Sequence, residues 1–276
     1  MSNDIPITDT LDPELVDHMA RRTALRRGAA ALLAAGAGSI GFAAMTRTAF
    51  AQEGAIPQQA VDVLNFALTL EYLEAEFYRE GNDKDGLIPD NDKEIFETIG
   101  GHEDEHVKFL KETLGDKAVK KPKFDFTAGG TFDTFENYET FRLLAIAFED
   151  TGVRAYKGQA IAQAAKPLLA NPKLLTAALT IHSVEGRHAA RVRQLLGFQA
   201  WIPMDFPEAP APVKPVYATD KELADEVPSF DVKTTTKYGV DVAKVSEIKP
   251  KQITEAYDEP LGMDAVLKIA GMFIAS

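Results

Sequence analysis

The sequence predicts an all-α fold, a four-helix bundle in which two antiparallel hairpins are joined by one long crossover. Three observations lead to this prediction. Four stretches between residues 57 and 197 repeat apolar residues at helical spacing. The connections between these stretches are short, long and short in turn, as two hairpins and a crossover require. Each stretch also places a glutamate inside its apolar stripe, where a charged side chain is rare.

The first two stretches form the first predicted hairpin. The first helix is predicted to run from Pro57 to about Glu80, because Gly81 begins a loop rich in Asn, Asp, Gly and Pro. Asp92 is the predicted N-cap of the second helix, which is predicted to end at Leu114, before a glycine.

The other two stretches form the second predicted hairpin. Residues 115–133 make the long connection, and Thr134 is predicted to open the third helix, whose apolar content continues to about Ala165. A turn that ends at Pro172 leads into the fourth helix, and Gly197 closes it.

Two of the four helices carry the motif Glu-x-x-His. Glu103 precedes His106 in the second helix, and Glu185 precedes His188 in the fourth. Residues three apart lie on one face of a helix, so each motif can present a carboxylate and an imidazole to one point. Both motifs lie in apolar stripes, where a carboxylate must be paired, bind a metal or take up a proton. Nitrogen and oxygen donors of this kind suit iron, manganese or zinc.

The first and third helices each carry a lone glutamate in the apolar stripe. These are Glu71 and Glu149, and a tyrosine follows each by seven residues, two turns down the same face: Tyr78 and Tyr156. Glu74 is a rival to Glu71, but the matching distance to tyrosine in the third helix favours Glu71. The chain therefore repeats one unit that consists of a glutamate, a tyrosine and a Glu-x-x-His motif.

This duplicated pattern resembles the ferritin-like superfamily, and more closely its exported bacterial ferritin-like domain proteins of the desiccation- and stress-related type. The resemblance covers roughly residues 57–198. It implies a ferritin-like bundle that holds two iron ions or, alternatively, two manganese ions. In such families the glutamates of the motifs bridge the metals, while the lone glutamates and the histidines bind terminally. All six ligand positions are filled, by Glu71, Glu103, His106, Glu149, Glu185 and His188.

The resemblance also implies an activity, an oxidoreductase that uses Fe(II) and O2 or peroxide in stress protection. Two alternatives stay open: manganese catalase-like peroxide dismutation, and a non-catalytic stress or desiccation protein whose metals only stabilise the bundle. Tyr78 and Tyr156 are candidates to hydrogen-bond the ligand carboxylates, with core packing as the alternative. His182 is a candidate to orient a ligand or relay protons, with an ordinary core or surface position as the alternative. His102, one residue off the ligand face, is not included.

The composition excludes several other functions. A formal charge of −12 argues against nucleic-acid binding, which needs a basic patch. The chain has no cysteine, so disulfides, zinc–thiolate sites, iron–sulfur clusters and thiol chemistry are excluded.

Residues 1–51 resemble a twin-arginine export signal. Arg21 and Arg22 precede an uncharged run rich in glycine and alanine, and a small-x-small cleavage site ends at Ala51. We therefore expect a periplasmic protein, cleaved after Ala51 and without a stable membrane anchor. A membrane helix is the alternative, because the uncharged run is just long enough to span, but its alanine and glycine content disfavours it.

Residues 199–276 are predicted to form an extended arm with a short helix. Five prolines between positions 203 and 215 rule out a continuing helix. A short amphipathic helix is predicted near Met263 to Phe273, and the aromatic residues of the arm argue against a disordered tail. We expect the arm to cover the bundle or to contact a second copy in a homodimer.

Overall fold

The computed structural model describes residues 56–161, 171–203, 206–217, 236–237, 240–241, 255–258 and 260–275. Four long helices form a bundle: α1 (Gln58–Asp83), α2 (Asp90–Leu114), α3 (Tyr138–Ile161) and α4 (Pro172–Leu195). A short helix, α5 (Met263–Ala270), follows near the end of the chain. The all-α prediction is therefore confirmed. The predicted export signal, residues 1–51, lies outside the described residues and stays a prediction.

Helices α1 and α2 run antiparallel across a short loop at residues 84–89. Near one end of the pair, Asn65 Nδ2 donates to the carbonyl of Lys117 over 2.9 Å. Near the other end, Asn82 Nδ2 donates to the carbonyl of Phe96 over 3.2 Å. Because the residue numbers rise along α1 while they fall along α2, these contacts fix the register of the first hairpin.

Helix α1 passes through its predicted end at Gly81 and continues to Asp83. Gly81 lies at a close contact with α3, where an added Cβ would stand 2.3 Å from Cε2 of Phe141. Gly81 therefore does not end the helix. It is a glycine because α1 and α3 approach each other closely at this point.

Helix α2 begins three residues earlier than predicted, since its N-cap is Pro89 and not Asp92. Its first residue is Asp90, which follows Pro89, and no side chain at that end caps the helix. Asp90 and Asp92 both lie in the first turn, where negative charge is stabilised by the helix dipole. The Asp92 carboxylate accepts a hydrogen bond from Tyr138 over 2.5 Å, so it ties α2 to α3 instead of capping α2.

Helix α3 begins at Tyr138 rather than at the predicted Thr134. Oδ1 of Asn137 accepts from the backbone N–H groups of Glu139 and Thr140, which makes Asn137 the cap. The buried Thr134 hydroxyl donates to a backbone carbonyl of the preceding connection. The predicted end of this helix near Ala165 lies outside the described residues.

Helix α4 begins and ends close to its predicted limits. Asn171 caps it by accepting from the N–H groups of Lys173 and Leu174, and Pro172 occupies the first turn. Gly197 follows the helix with φ of +75°, a left-handed conformation that suits glycine at a helix end.

The short helix α5 packs against the bundle. Val266, Ile269 and Phe273 are buried in the same core as the long helices. The ring of Phe273 meets the ring of Phe148 edge to face, with centroids 4.9 Å apart. The predicted amphipathic helix is therefore present, and it covers α3.

The segment before α5 lies directly on the backbone of α3. The N–H of Leu261 donates to the carbonyl of Arg154 over 3.0 Å. One turn further along α3, a Cβ on Gly158 would stand 1.9 Å from the carbonyl oxygen of Leu261. Position 158 therefore has to be glycine for the C-terminal segment to lie where it does.

A buried ion pair attaches residues 206–217 to the bundle. Arg193 of α4 donates through Nε to Asp150 of α3 over 3.1 Å, and a second guanidinium nitrogen donates to the other carboxylate oxygen. The hydroxyl of Tyr217 donates to Asp150 over 2.8 Å, and the Arg193 guanidinium lies 4.9 Å from the ring centroid of Phe206. Asp150 is 0% exposed and Arg193 is 1% exposed, so each charge depends on the other.

Two very short strands also occur in the arm. β1 (Thr236–Lys237) and β2 (Val240–Asp241) pair antiparallel, with Thr236 opposite Asp241. Within the part of the chain that the structure describes, no helix has both the length and the apolar character needed to cross a membrane.

Replacing Asp150 by asparagine is expected to destabilise the fold strongly. The substitution leaves the Arg193 guanidinium buried without a counter-charge, and breaking a buried pair in this way costs about 3–5 kcal/mol. Urea denaturation of the variant and the wild type measures the difference. The control is Asp104→Asn, an exposed position on α2, which should change the free energy of unfolding by less than about 0.5 kcal/mol. Equal stability of both variants would contradict the role of the pair.

Candidate metal centre

The four long helices bring carboxylates and imidazoles together in the middle of the bundle. The side chains of the four glutamates are 0% exposed, and the two histidines are largely buried. Their ligand atoms form two groups, and the atoms of each group lie within 4.8 Å of one another. One group is Glu71, Glu103, His106 and Glu185, and the other is Glu103, Glu149, Glu185 and His188. We call these six residues the carboxylate–histidine centre.

Two glutamates belong to both groups, and each directs its two oxygens to different histidines. Glu103 places Oε2 3.1 Å from Nδ1 of His106 and Oε1 2.7 Å from Nδ1 of His188. Glu185 places Oε1 3.2 Å from Nδ1 of His106 and Oε2 3.9 Å from Nδ1 of His188. A carboxylate that serves two neighbouring groups in this way is arranged to bridge two cations.

The lone glutamates complete one group each. Oε2 of Glu71 lies 3.1 Å from Nδ1 of His106, and Oε2 of Glu149 lies 3.3 Å from Nδ1 of His188. Each group therefore contains one terminal glutamate, one histidine and both shared glutamates. The repeat in the sequence thus appears as a twofold repeat in space.

The two tyrosines cross between the repeated units. Tyr78 of α1 donates its hydroxyl hydrogen to Oε1 of Glu149, and Tyr156 of α3 donates to Oε1 of Glu71. Each tyrosine thus holds the lone glutamate of the opposite unit, because α1 and α3 run antiparallel. Burial, followed by the charge of the bonded glutamate, raises the pKa of both hydroxyl groups well above the usual value, so both remain donors.

Several atoms of the centre are buried without hydrogen-bond partners among the described residues. They are Oε1 of Glu103, Oε2 of Glu149, both carboxylate oxygens of Glu185 and Nδ1 of His188. Nδ1 of His188 and Oε1 of Glu103 lie close together, yet their directions do not suit a hydrogen bond. Buried polar atoms without partners are costly, and a shared cation would satisfy these atoms together. Carboxylate and imidazole donors suit iron, manganese or zinc, so the centre fits such ions.

Comparison with known proteins identifies the family of the bundle. Residues 59–198 match the family of the ferritin-like domain. The chain belongs to this family. The matched residues cover all but the first residue of α1, the whole of α2 to α4 and all six residues of the carboxylate–histidine centre, and the predicted ferritin-like fold is confirmed. Comparison with curated proteins found no match, and comparison with solved structures found none either.

The carboxylates of this ferritin-like domain have unequal affinities for protons. Burial, with repulsion from Glu103 among its neighbours, raises the pKa of Glu185 well above the usual value. Burial also raises the pKa of Glu103, to about 7, although close contacts with His106 and His188 oppose the rise. Burial acts in the same direction on Glu71, but contacts with His106 outweigh it and lower the pKa of this glutamate. Without a metal, the centre therefore holds protons at neutral pH.

The histidines of the ferritin-like domain are more basic than free histidine. Burial lowers the pKa of His188, but the nearby carboxylates of Glu149 and Glu103 raise it overall to about 11. The pKa of His106 is raised in the same way, since close contacts with the carboxylates of Glu103, Glu185 and Glu71 outweigh the effect of burial. Both imidazoles are therefore protonated partners of carboxylates until a cation replaces their protons.

His102, which was not among the predicted site residues, contacts the centre. Nδ1 of His102 lies 2.9 Å from Nε2 of His188, and the two rings are stacked with centroids 5.2 Å apart. Burial, and then the charge of His188, lowers the pKa of His102, so a neutral His102 can accept the Nε2 hydrogen. This contact orients His188 with Nδ1 towards the carboxylates. The sequence feature that could have indicated this role is the position of His102 directly before a Glu-x-x-His motif.

Glu74 is buried beside the centre but belongs to neither group of ligand atoms. A Cβ added to Gly152 would stand 3.1 Å from Oε1 of Glu74 and 3.2 Å from Oε2 of Glu185, so both carboxylates face this glycine. Burial raises the pKa of Glu74 well above the usual value, and repulsion from the four glutamates of the centre adds to it. Of the two rivals on α1, Glu71 joins the centre, and Glu74 is a neutral acid next to it.

His182 lies outside both groups of ligand atoms. Its ring hydrogen bonds with the backbone of Val153, and burial lowers its pKa, so this histidine is neutral. It stands in the wall of an apolar cavity between the helices. A role in orienting a ligand or in relaying protons stays a prediction for this residue.

Metal binding is expected to release protons and to strengthen as the pH rises. The raised pKa of Glu103, about 7, and that of Glu185 mean that a cation competes with protons at neutral pH. The apparent Mn(II) affinity should rise about tenfold per pH unit for each proton displaced. Calorimetric titration between pH 6 and 8, in two buffers of different ionisation enthalpy, counts these protons.

The control for this titration is Glu76→Gln. Glu76 lies away from the centre, and its hydrogen bond with Arg79 is the main cause that lowers its pKa to about 2. The variant should release the same number of protons as the wild type. An Mn(II) affinity that does not depend on pH would contradict the protonated state of the metal-free centre.

Proposed function

We propose that this protein is a ferritin-like dinuclear metal protein whose centre holds two iron ions and oxidises Fe(II) with O2 or consumes peroxide. One observation carries the proposal. Glu103 and Glu185 each turn one oxygen towards His106 and the other towards His188. This is the arrangement that two bridging carboxylates need between a pair of cations.

The proposed ligands fall into three sets. Glu71 and His106 would bind one ion, Glu149 and His188 would bind the other, and the remaining two glutamates would bridge them. Four carboxylates balance the charge of two divalent cations, which would otherwise be costly to bury. When bound, a pair of redox-active ions about 3.5–4 Å apart can hold both oxygens of O2 or peroxide and exchange electrons with them.

The surrounding residues would position the ligands and supply protons. Tyr78 and Tyr156 fix one oxygen of each terminal glutamate, which leaves the other oxygen for a cation. His102 fixes the orientation of His188. Glu74 carries a proton on a buried carboxyl group beside Glu185, and reduction of peroxide or O2 to water consumes protons.

A second candidate function is peroxide dismutation by two manganese ions. The donors of the centre are four carboxylates and two imidazoles, and an oxygen-rich set of this kind suits manganese as well as iron. Both functions use the same six residues, so metal identity decides between them. A third possibility, a metal that only stabilises a stress protein, is an outcome of the experiment below.

We also propose that the protein functions in stress protection in the periplasm, after export by the twin-arginine route. The support is the sequence around Arg21 and Arg22 and the cleavage site at Ala51. That route carries proteins that fold before export, and a metal bound in the cytoplasm would be retained.

Replacing Glu103 by glutamine should lower the metal content by more than half and abolish the activity. The substitution keeps the shape of the side chain but removes a charge shared by the two ions. We expect two iron ions per chain in wild-type protein from its native compartment and less than half that amount in the variant. Elemental analysis measures the metals, and absorbance after addition of Fe(II) or peroxide measures turnover.

The matched control is Glu105→Gln, two residues along α2. Glu105 is exposed and pairs with Lys108, so this variant should keep both the metals and the turnover. Manganese with peroxide dismutation would support the second candidate function. Bound metal without turnover, together with lower thermal stability of Glu103→Gln, would contradict an enzymatic role.

The export proposal predicts a mature protein that begins at Gln52. Mass spectrometry of the protein from the periplasmic fraction of its host measures the N-terminus. Replacing both Arg21 and Arg22 by lysine should retain the precursor in the cytoplasm, whereas Arg47→Lys, which changes an arginine outside the pair, should not. Normal export of the double variant would contradict the twin-arginine route.

A further inference from the structure

A cavity of about 250 Å³ lies between the four long helices, next to the carboxylate–histidine centre. Most of its described lining is aliphatic or aromatic. The polar residues in that lining are Tyr156, Lys157, Gln159 and His182. Leu179, which is 49% exposed, is also part of the lining, so the cavity reaches the protein surface. Apolar cavities of roughly 150 Å³ bind benzene, so this one can hold a substituted ring.

One polar group of the cavity wall is buried and lacks a partner. Gln159 is 6% exposed, and its Nε2 has no hydrogen-bond partner among the residues that the structure describes. Leaving a buried amide hydrogen unpaired costs about 1–3 kcal/mol. An acceptor atom on a molecule inside the cavity would remove this cost.

The cavity extends to the centre through Tyr156. This tyrosine lines the cavity and donates its hydroxyl hydrogen to Glu71, one of the terminal glutamates. Tyr156 and Gln159 are three residues apart on α3, so they share a face and are separated by about 4.5 Å along the helix axis. A molecule the size of one ring can therefore contact Gln159 and Tyr156 at the same time.

The charges around the cavity favour a neutral molecule. The walls are apolar, and the ammonium group of Lys157 is engaged with the carbonyl of Asp258 over 2.6 Å. His182 has a hydrogen bond with the backbone of Val153, and its Nδ1 has no described partner. An ion would lose its hydration in this cavity without meeting a matched counter-charge, which is costly.

We infer that this cavity is a binding site for a neutral, ring-sized organic molecule with a hydrogen-bond-accepting oxygen. The oxygen accepts from Nε2 of Gln159, and the ring packs on Tyr156 and the apolar side chains around it. Only Tyr156 then stands between the bound molecule and Glu71. Binding at this site does not depend on the proposed oxidation chemistry.

A pair of probes of similar shape tests the inference. Acetophenone carries a carbonyl oxygen, and isopropylbenzene has a methyl group in its place. Calorimetric or NMR titration of the purified full-length protein should show saturable binding of both probes, with acetophenone about tenfold tighter. In Gln159→Leu the two affinities should become equal, because the amide donor is gone. Absence of saturable acetophenone binding to the wild type would overturn the inference.

A second variant tests the location. Ala178→Phe places a ring into the cavity from α4 and should weaken both probes at least tenfold. Ala190→Phe is the matched control, because Ala190 is a partly buried alanine of the same helix outside the lining. Circular dichroism checks the fold of each variant, and if Ala178→Phe does not fold, Gln159→Leu alone decides. Unchanged affinity for both probes in a folded Ala178→Phe variant would overturn the inference.

The titrations are carried out on metal-loaded and on metal-depleted protein. Binding in both forms without any turnover of Fe(II) or peroxide would support the cavity and contradict the proposed function. Turnover without probe binding would support the proposed function and overturn the cavity. The two proposals can therefore fail separately.

Discussion

The whole bundle depends on placing four carboxylates in a hydrophobic core. Such groups are tolerated only when protons, histidines or cations balance their charge. The structure meets this requirement with two imidazoles inside the centre and two tyrosine hydroxyls at its ends. The register of the helices serves the same constraint, because it brings one donor residue each from α1 and α3 and two each from α2 and α4 to the same level.

The C-terminal part of the chain completes the core around this polar interior. Phe273 packs on Phe148 of α3, and Leu261 lies against Gly158, nearly three turns further along the same helix. The buried pair of Arg193 and Asp150 joins residues 206–217 to the other side of α3. Helix α3 therefore contacts the arm on several faces while it carries Glu149 on its inner face. Its burial explains why it has so few exposed charges compared with α2.

Helical spacing was enough to predict the four helices and to select the six residues that the structure brings together. The helices and the inward-facing positions on them both follow from the spacing of residues within one helix, which repeats every 3.6 residues. The boundaries were harder, since the start of α3 depends on a cap at Asn137 and the passage of α1 through Gly81 depends on the ring of Phe141. The contact of His102 with His188 lies between helices, and so does the hydrogen bond from each tyrosine to the glutamate of the other repeat. A single sequence does not contain such contacts. The cavity depends on how side chains of different helices pack, so it could not be predicted from the sequence either.

Each tyrosine hydrogen-bonds to the glutamate of the other repeat, and this has a consequence for the origin of the protein. Tyr78 cannot serve the glutamate of its own repeat, and neither can Tyr156, because each reaches the opposite one. A single hairpin of this kind would leave its glutamate unsupported. If the two halves descend from one ancestral hairpin, two copies of that ancestor had to associate around a twofold axis before each tyrosine could reach a glutamate. Gene fusion would then have turned an intermolecular assembly into an intramolecular one, and afterwards the halves were free to diverge.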